Sequence, residues 1–352
     1  MPWHVRESDE NKPCELNYLL NSSYNSLYTL IQLDGLHQTI FSINGYSPAQ
    51  PIVVPFGAEV ILRVQNDLMQ DSITLHVHGM QMKGTWYMDG AAFVTQCPIA
   101  PRSRFAYRFI ADTPGTHWFH GHLGVDRAQG FLGAFIVKDI QRFPLPQPNI
   151  MGREYAVVMQ DWTLNDAKEV WLKQKWRSWK WQDGYDGADK NKCWNAPVAA
   201  DGAYFGSSAI VRSILINDKG WHDQNDILIR PNTLPLETFR IRRDETIRLR
   251  LINGGVSQQL MVSIDDHDFL VVAADGDEII PIKAQMIILF PGERYDILIQ
   301  GLNNPTKSTY AIIFETMEYL VAKTSIMPKF GVAKLVYEDV RNEYGNQVLE
   351  GS

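Results

Sequence analysis

Ile73-Thr-Leu-His-Val-His-Gly79 and Pro114-Gly-Thr-His-Trp-Phe-His-Gly-His122 decide how this chain folds. In the first stretch Ile73, Leu75 and Val77 alternate with Thr74, His76 and His78. A period of two is the mark of a strand with one face in a core. Side chains at i and i+2 then share a face, about 6.5–7 Å apart along the chain. His76 and His78 project together, away from the apolar face. The same parity puts Trp118, His120 and His122 on one side of the second stretch, and His117 and Phe119 on the other.

Similar patterning extends outward. Ile52 to Val64 alternates after a central Phe56-Gly57 turn, and Phe105, Tyr107 and Phe109 alternate with Ala106 and Arg108. Many short strands between Gly, Pro, Asn and Asp predict half-buried antiparallel strands in a sandwich or barrel. The stretch 142–149 holds three prolines and no periodicity, so it is read as a linker. Strand patterning resumes at Glu154–Met159. Further on, Ile241, Ile247, Leu249 and Leu251 alternate with arginines. The predicted organisation is an extension (1–29), a sandwich (30–141), a linker (142–151), a second sandwich (152–342) and a tail (343–352). A Trp-rich insertion, 170–206, interrupts the second sandwich with Trp171, Trp176, Trp179, Trp181 and Trp194. It reads as a long loop whose indoles pack on their own sandwich, or as an aromatic surface for a partner.

Composition narrows the function. Of 352 residues, 45% are hydrophobic and 21% charged, ordinary for a globular chain and too apolar for disorder as the main state. The longest apolar runs, such as Phe269–Ala274, fall far short of the roughly 18 residues of a membrane span. A net charge of −7 argues against a general nucleic-acid grip. Three cysteines, Cys14, Cys97 and Cys193, are too few for a disulfide scaffold. Asn21 opens a glycosylation sequon; the first ten residues carry no apolar leader stretch, which is read as a cytosolic protein or a missing true start.

The histidines are the chemical signal. Two His-x-His pairs on strand-like segments place four imidazoles, His76, His78, His120 and His122, where they can converge. Imidazole sets without Cys or paired carboxylates suit copper or zinc. The competing reading is a hydrogen-bonded polar sheet face.

The chain resembles the multicopper oxidases, and most the animal laccase-like members. The matching text includes Ile43-Asn-Gly-Tyr-Ser-Pro48, Val53-Val-Pro-Phe-Gly57, Leu75-His-Val-His-Gly79, Lys83-Gly-Thr-Trp-Tyr-Met-Asp-Gly90 and Val94-Thr-Gln-Cys-Pro-Ile99. It continues through Pro114–His122 and Gly130-Phe-Leu-Gly-Ala-Phe-Ile-Val137. Met159-Gln-Asp-Trp162, Arg248-Leu-Arg-Leu-Ile-Asn253, Ala273-Ala-Asp-Gly276 and Pro291-Gly-Glu-Arg-Tyr-Asp296 follow more loosely. The resemblance implies an all-β chain of two cupredoxin-like Greek-key sandwiches in tandem. It implies a copper cofactor, with His76 as a type 2 ligand and His78, His120 and His122 as type 3 ligands, and no ligand role for His117. It also implies a proton-supplying role for Asp89, a Cys97–Cys193 disulfide and a secreted protein. Gly121 stands where many members have Ser, and Val77 where many have Trp.

The resemblance also shows what is missing. The family's type 1 copper needs a His-Cys-His run, and no such run occurs here. After His122 only His222 and His267 remain, too far apart in sequence to form a pair. The expectation is therefore half of a trinuclear copper site on a fragment that lacks the third domain. The complete protein would oxidise phenols or aromatic amines and reduce O2 to water. The alternatives are a fragment of a ferroxidase, a non-catalytic copper-binding module and, more remotely, a zinc hydrolase.

Overall fold

A computed structural model of the chain describes residues 31–139 apart from 37, 151–176 apart from 164, 179–180, 194–195, 211–222, 235–317 and 328–340. The first half forms strands β1 (Ala49–Pro55), β2 (Glu59–Gln65), β3 (Leu75–His78), β4 (Arg104–Ile110), β5 (Gly115–Gly121) and β6 (Leu132–Lys138). The second forms β7 (Met151–Thr163), helix α1 (Ala167–Trp176), the short pair β8 (Trp179–Lys180) and β9 (Trp194–Asn195), and β10 (Val211–Ile216). It continues with β11 (Glu237–Ile241), β12 (Thr246–Asn253), β13 (Leu260–Ile264), β14 (Phe269–Ala274) and β15 (Asp277–Ala284). The last strands are β16 (Met286–Leu289), β17 (Arg294–Gln300), β18 (Thr309–Thr316) and β19 (Phe330–Tyr337).

The architecture is all-β. A four-stranded sheet, β1-β6-β5-β3, faces the two-stranded β2-β4. Between them lies a core that includes Leu75, Val77, Tyr107, Phe109, Phe119 and Phe135. A six-stranded sheet, β10-β7-β12-β17-β14-β15, and a five-stranded one, β11-β19-β18-β13-β16, enclose the second core. The strands are not all antiparallel as the patterning predicts: β1–β6, β7–β12 and β11–β19 pair in parallel. Phe56-Gly57 does turn the chain, but β1 and β2 enter different sheets, so it is a corner and not a hairpin. Period-two patterning fixes faces, and says nothing about which strand is the neighbour.

Two features position the site. β5 is buried along its whole length and β6 along all but its last residue. One face of each lies in the first core. From the other, Trp118, Leu132, Ala134 and Ile136 pack on Val158 of β7 and Ile252 of β12 in a separate apolar cluster between the sandwiches. β3, by contrast, is the outer strand beside β5, so its histidine face lies at an open edge. The arginines alternating along β12 do not face solvent. Arg248 and Arg250 are buried, because that face meets the first sandwich and the carboxylate of Asp296.

Part of the Trp-rich insertion is regular: α1 begins before it and runs to Trp176. Residues 181–193 and 196–206, Cys14, Cys193, Asn21, the extension 1–29 and the tail 343–352 lie outside the described residues.

Candidate metal centre

β3 and β5 pair antiparallel with His76 opposite His120 and His78 opposite Trp118. Directly opposed residues bring their Cβ atoms to about 4.5–5.5 Å, so register alone sets two imidazoles side by side. The ring centroids of His76 lie 5.6 Å from His78, 5.3 Å from His120 and 5.3 Å from His122. His78 and His120 are 5.8 Å apart, as are His120 and His122. One ring nitrogen from each of His76, His78 and His120 lies within 4.8 Å of the others, close enough to share a metal ion. His122 sits just past the end of β5, exposed at the rim.

The hydrogen bonds assign nitrogens. His76 donates from Nδ1 to the Asp89 carbonyl at 2.7 Å, with Asp89 Oδ1 at 3.3 Å, so its Nε2 carries the lone pair. His120 donates from Nδ1 to the Gly121 carbonyl at 2.8 Å. Its Nε2 is buried and has no hydrogen-bond partner. A bare acceptor in a nearly dry site is costly unless something electrophilic meets it. Trp118 fills the space behind the rings, 5.2 Å from His78 in a stacked arrangement and 4.2 Å from His120. The Arg127 guanidinium lies over that indole, 5.0 Å from its centroid.

Burial, reinforced by the positive charge of Arg294, lowers the pKa of His78 to about 3. Burial likewise lowers His120 to about 2. Both imidazoles are therefore neutral at physiological pH, the state a metal ion requires. The His76 hydrogen bond holds the Asp89 carboxyl below its usual range.

His117 is on the same strand but not in the cluster. It is buried between the sandwiches, with Nε2 at 3.0 Å from the Thr113 carbonyl and Nδ1 accepting from Arg294 Nη2 at 3.4 Å. His267 is bonded to the Tyr337 hydroxyl at 2.8 Å, and His222 to the Asp34 carbonyl at 2.8 Å. Cys97 is exposed and unpaired among the described residues. Val77 is buried in the first core. Gly121 leaves room for a neighbour: a Cβ there would lie 2.3 Å from Cβ of Asp126. Sequence parity marks the side of Trp118, but nothing local marks Arg294, which reaches β5 from the second sandwich, or Arg127, which bonds the Gly254 and Gly255 carbonyls of that sandwich.

A multicopper oxidase family profile matches residues 27–142, and a second matches 153–332. The chain belongs to the multicopper oxidase family, a class of copper-binding oxidoreductases. Among curated relatives it is 27% identical to an L-ascorbate oxidase of Cucumis sativus over 294 residues, covering 80% of this chain and 45% of that protein. It is 27% identical to Laccase-3 of Thanatephorus cucumeris over 316 residues, covering 88% and 48%. Among solved structures, Fet3p, a multicopper oxidase that functions in iron import, aligns with a TM-score of 0.68 at 24% identity, over 90% of this chain and 51% of that one. The blue copper oxidase of Nitrosomonas europaea aligns with a TM-score of 0.61 at 25% identity, over 86% and 80%. The chain thus spans about half the length of the curated relatives it matches. Among the described residues no helix is long and apolar enough to cross a membrane.

Proposed function

We propose that His76, His78, His120 and His122 hold copper as one half of a multinuclear site in a secreted, laccase-like oxidase. The remaining ligands and the electron-entry copper would lie outside these 352 residues. The observation behind this reading is the buried, unpartnered Nε2 of His120 beside the lone pairs of His76 and His78. An imidazole-only set at an open edge suits copper. Copper held by these residues would supply the one-electron redox chemistry that, in the complete protein, couples oxidation of a phenol or aromatic amine to reduction of O2 to water.

The chain's own residues prepare for that chemistry. The Asp89 carbonyl and carboxylate fix the His76 tautomer, and the Gly121 carbonyl fixes that of His120. Trp118 excludes water from behind the rings. Asp89, bonded to His76 and with a side chain 31% exposed, would relay protons from solvent. His122, at the rim, faces the side from which the missing ligands would come.

Copper titration of the purified chain, read by elemental analysis and electron paramagnetic resonance, tests this. Bound copper below the family's full complement is expected, without an intense blue band and without phenol turnover. The double variant His120→Ala/His122→Ala should lose the bound metal. Unchanged copper in that variant refutes the ligand set. In the complete protein, faster turnover of ascorbate or Fe(II) than of a phenol would replace the laccase-like substrate. Copper binding with no turnover of any of the three would favour a non-catalytic module.

A further inference from the structure

The second sandwich touches the histidine cluster at the turn Phe290–Arg294. Arg294 is 4% exposed and spends all five of its N–H donors. Nε donates to the Thr116 carbonyl at 3.1 Å. Nη1 serves the Gly292 carbonyl at 3.3 Å and Asp275 Oδ1 at 2.9 Å. Nη2 serves the Asp275 carbonyl at 2.7 Å and His117 Nδ1 at 3.4 Å. Two of these five bonds cross to β5, at the residues just before Trp118. The same turn backs the other metal strand. A Cβ on Gly79, next to His78, would lie 2.6 Å from Arg294 Nη2. A Cβ on Gly292, which has φ +95°, would lie 3.3 Å from His78 Cε1.

We propose that Arg294 and Gly292 are positioning residues for the copper half-site: the second sandwich, and not the first alone, sets how His78 and His120 present their nitrogens. The inference rests on the ligand reading above. Thr116 and His117 are held by the Arg294 fork, Trp118 follows them in the strand, and the Trp118 indole packs against the rings of both His78 and His120. Gly292 closes the remaining side of His78. Lysine, with three donors on one atom, cannot reproduce the fork. Loss of groups that orient metal ligands commonly costs 10–100-fold in affinity.

The test is Cu(II) affinity, by chelator competition, and the copper resonance spectrum of the 352-residue chain and its variants. Arg294→Lys should fold, bind copper about 10–100-fold more weakly and show altered hyperfine splitting. Gly292→Ala, which keeps the fork but presses on His78, should change the spectrum in the same sense, and it serves as the test if Arg294→Lys does not fold. Lys168→Ala cuts a different tie between the halves, the 2.6 Å pair with Asp71, and should leave affinity and spectrum unchanged. Wild-type affinity and spectrum in Arg294→Lys and Gly292→Ala overturn the positioning role while leaving the ligand reading intact. Failure of the wild-type chain to bind copper overturns the ligand reading itself, and this inference with it.

Discussion

Asp126 is 5% exposed, packs against Gly121, and has a carboxylate oxygen, Oδ2, without a hydrogen-bond partner. Burial, with the charge of Asp71 added, raises its pKa to about 7. Between the ordinary value near 3.8 and about 7, the folded chain keeps a proton that the unfolded chain has released. This group's contribution is therefore full below the lower value and is lost as pH rises through the upper one. Asp126→Asn removes that dependence. From pH 5 to pH 8 the variant's advantage in unfolding free energy should widen by about 3 kcal/mol, measured by urea denaturation. A constant gap would mean Asp126 is already ionised at pH 5. At the same scale, the Nδ1–H groups of His76 and His120 need carbonyl acceptors that parity does not reveal. The Gly121 carbonyl lies one residue from His120, but the Asp89 carbonyl reaches His76 only because the turn after Trp86–Met88 returns to β3.

β5 and its neighbour β3 concentrate the acid sensitivity of the fold. Burial lowers His78, His117 and His120 to about 3, 4 and 2, against an ordinary value of 6.5. Depressed histidine values stabilise the fold above 6.5, and that contribution is lost as pH falls, because unfolded imidazoles take protons that native ones refuse. With all three charged in the unfolded chain the loss approaches about 4 kcal/mol per pH unit. The urea midpoint of the metal-free chain should fall steeply from pH 6.5 to pH 5. A flat midpoint across that range would show the rings are hydrated. Both strands are legible in the sequence because their apolar residues alternate. Helix α1 is not: Lys168, Glu169, Lys173 and Lys175 leave no clean apolar stripe. It is held by buried Ala167, by the Asp166 carboxylate accepting from the Lys168 backbone N–H at 2.9 Å, and by the distant Asp71. The last of these ties α1 to the other half of the chain, as does Asp166 Oδ2 accepting from Gln129 Nε2 at 3.4 Å.

Across the whole molecule the two halves share a buried ionic seam. Thr116 Oγ1 donates to Asp296 Oδ1 at 2.6 Å and accepts from Arg250 Nη1 at 2.7 Å. Arg248 and Arg250 both pair with Asp296, Arg250 also pairs with Glu154, and Lys138 reaches Glu154 at 3.3 Å. Buried charges this close are tolerable only while every donor and acceptor is matched. Thr116→Val keeps the shape and removes both hydroxyl bonds. It should cost about 1–3 kcal/mol and broaden the calorimetric transition as the halves uncouple. An unchanged, single sharp transition would show that the seam adds no coupling. The sequence by itself determined the strands, the faces their side chains occupy and the pairing of His76 with His78 and His120 with His122, because a two-residue period is local. Tertiary structure alone decided the neighbours: the parallel pairings, the burial of Arg248 and Arg250, and the Arg294 fork behind β5. Those depend on contacts between residues as far as 178 positions apart, and no local periodicity encodes where a distant strand comes to rest.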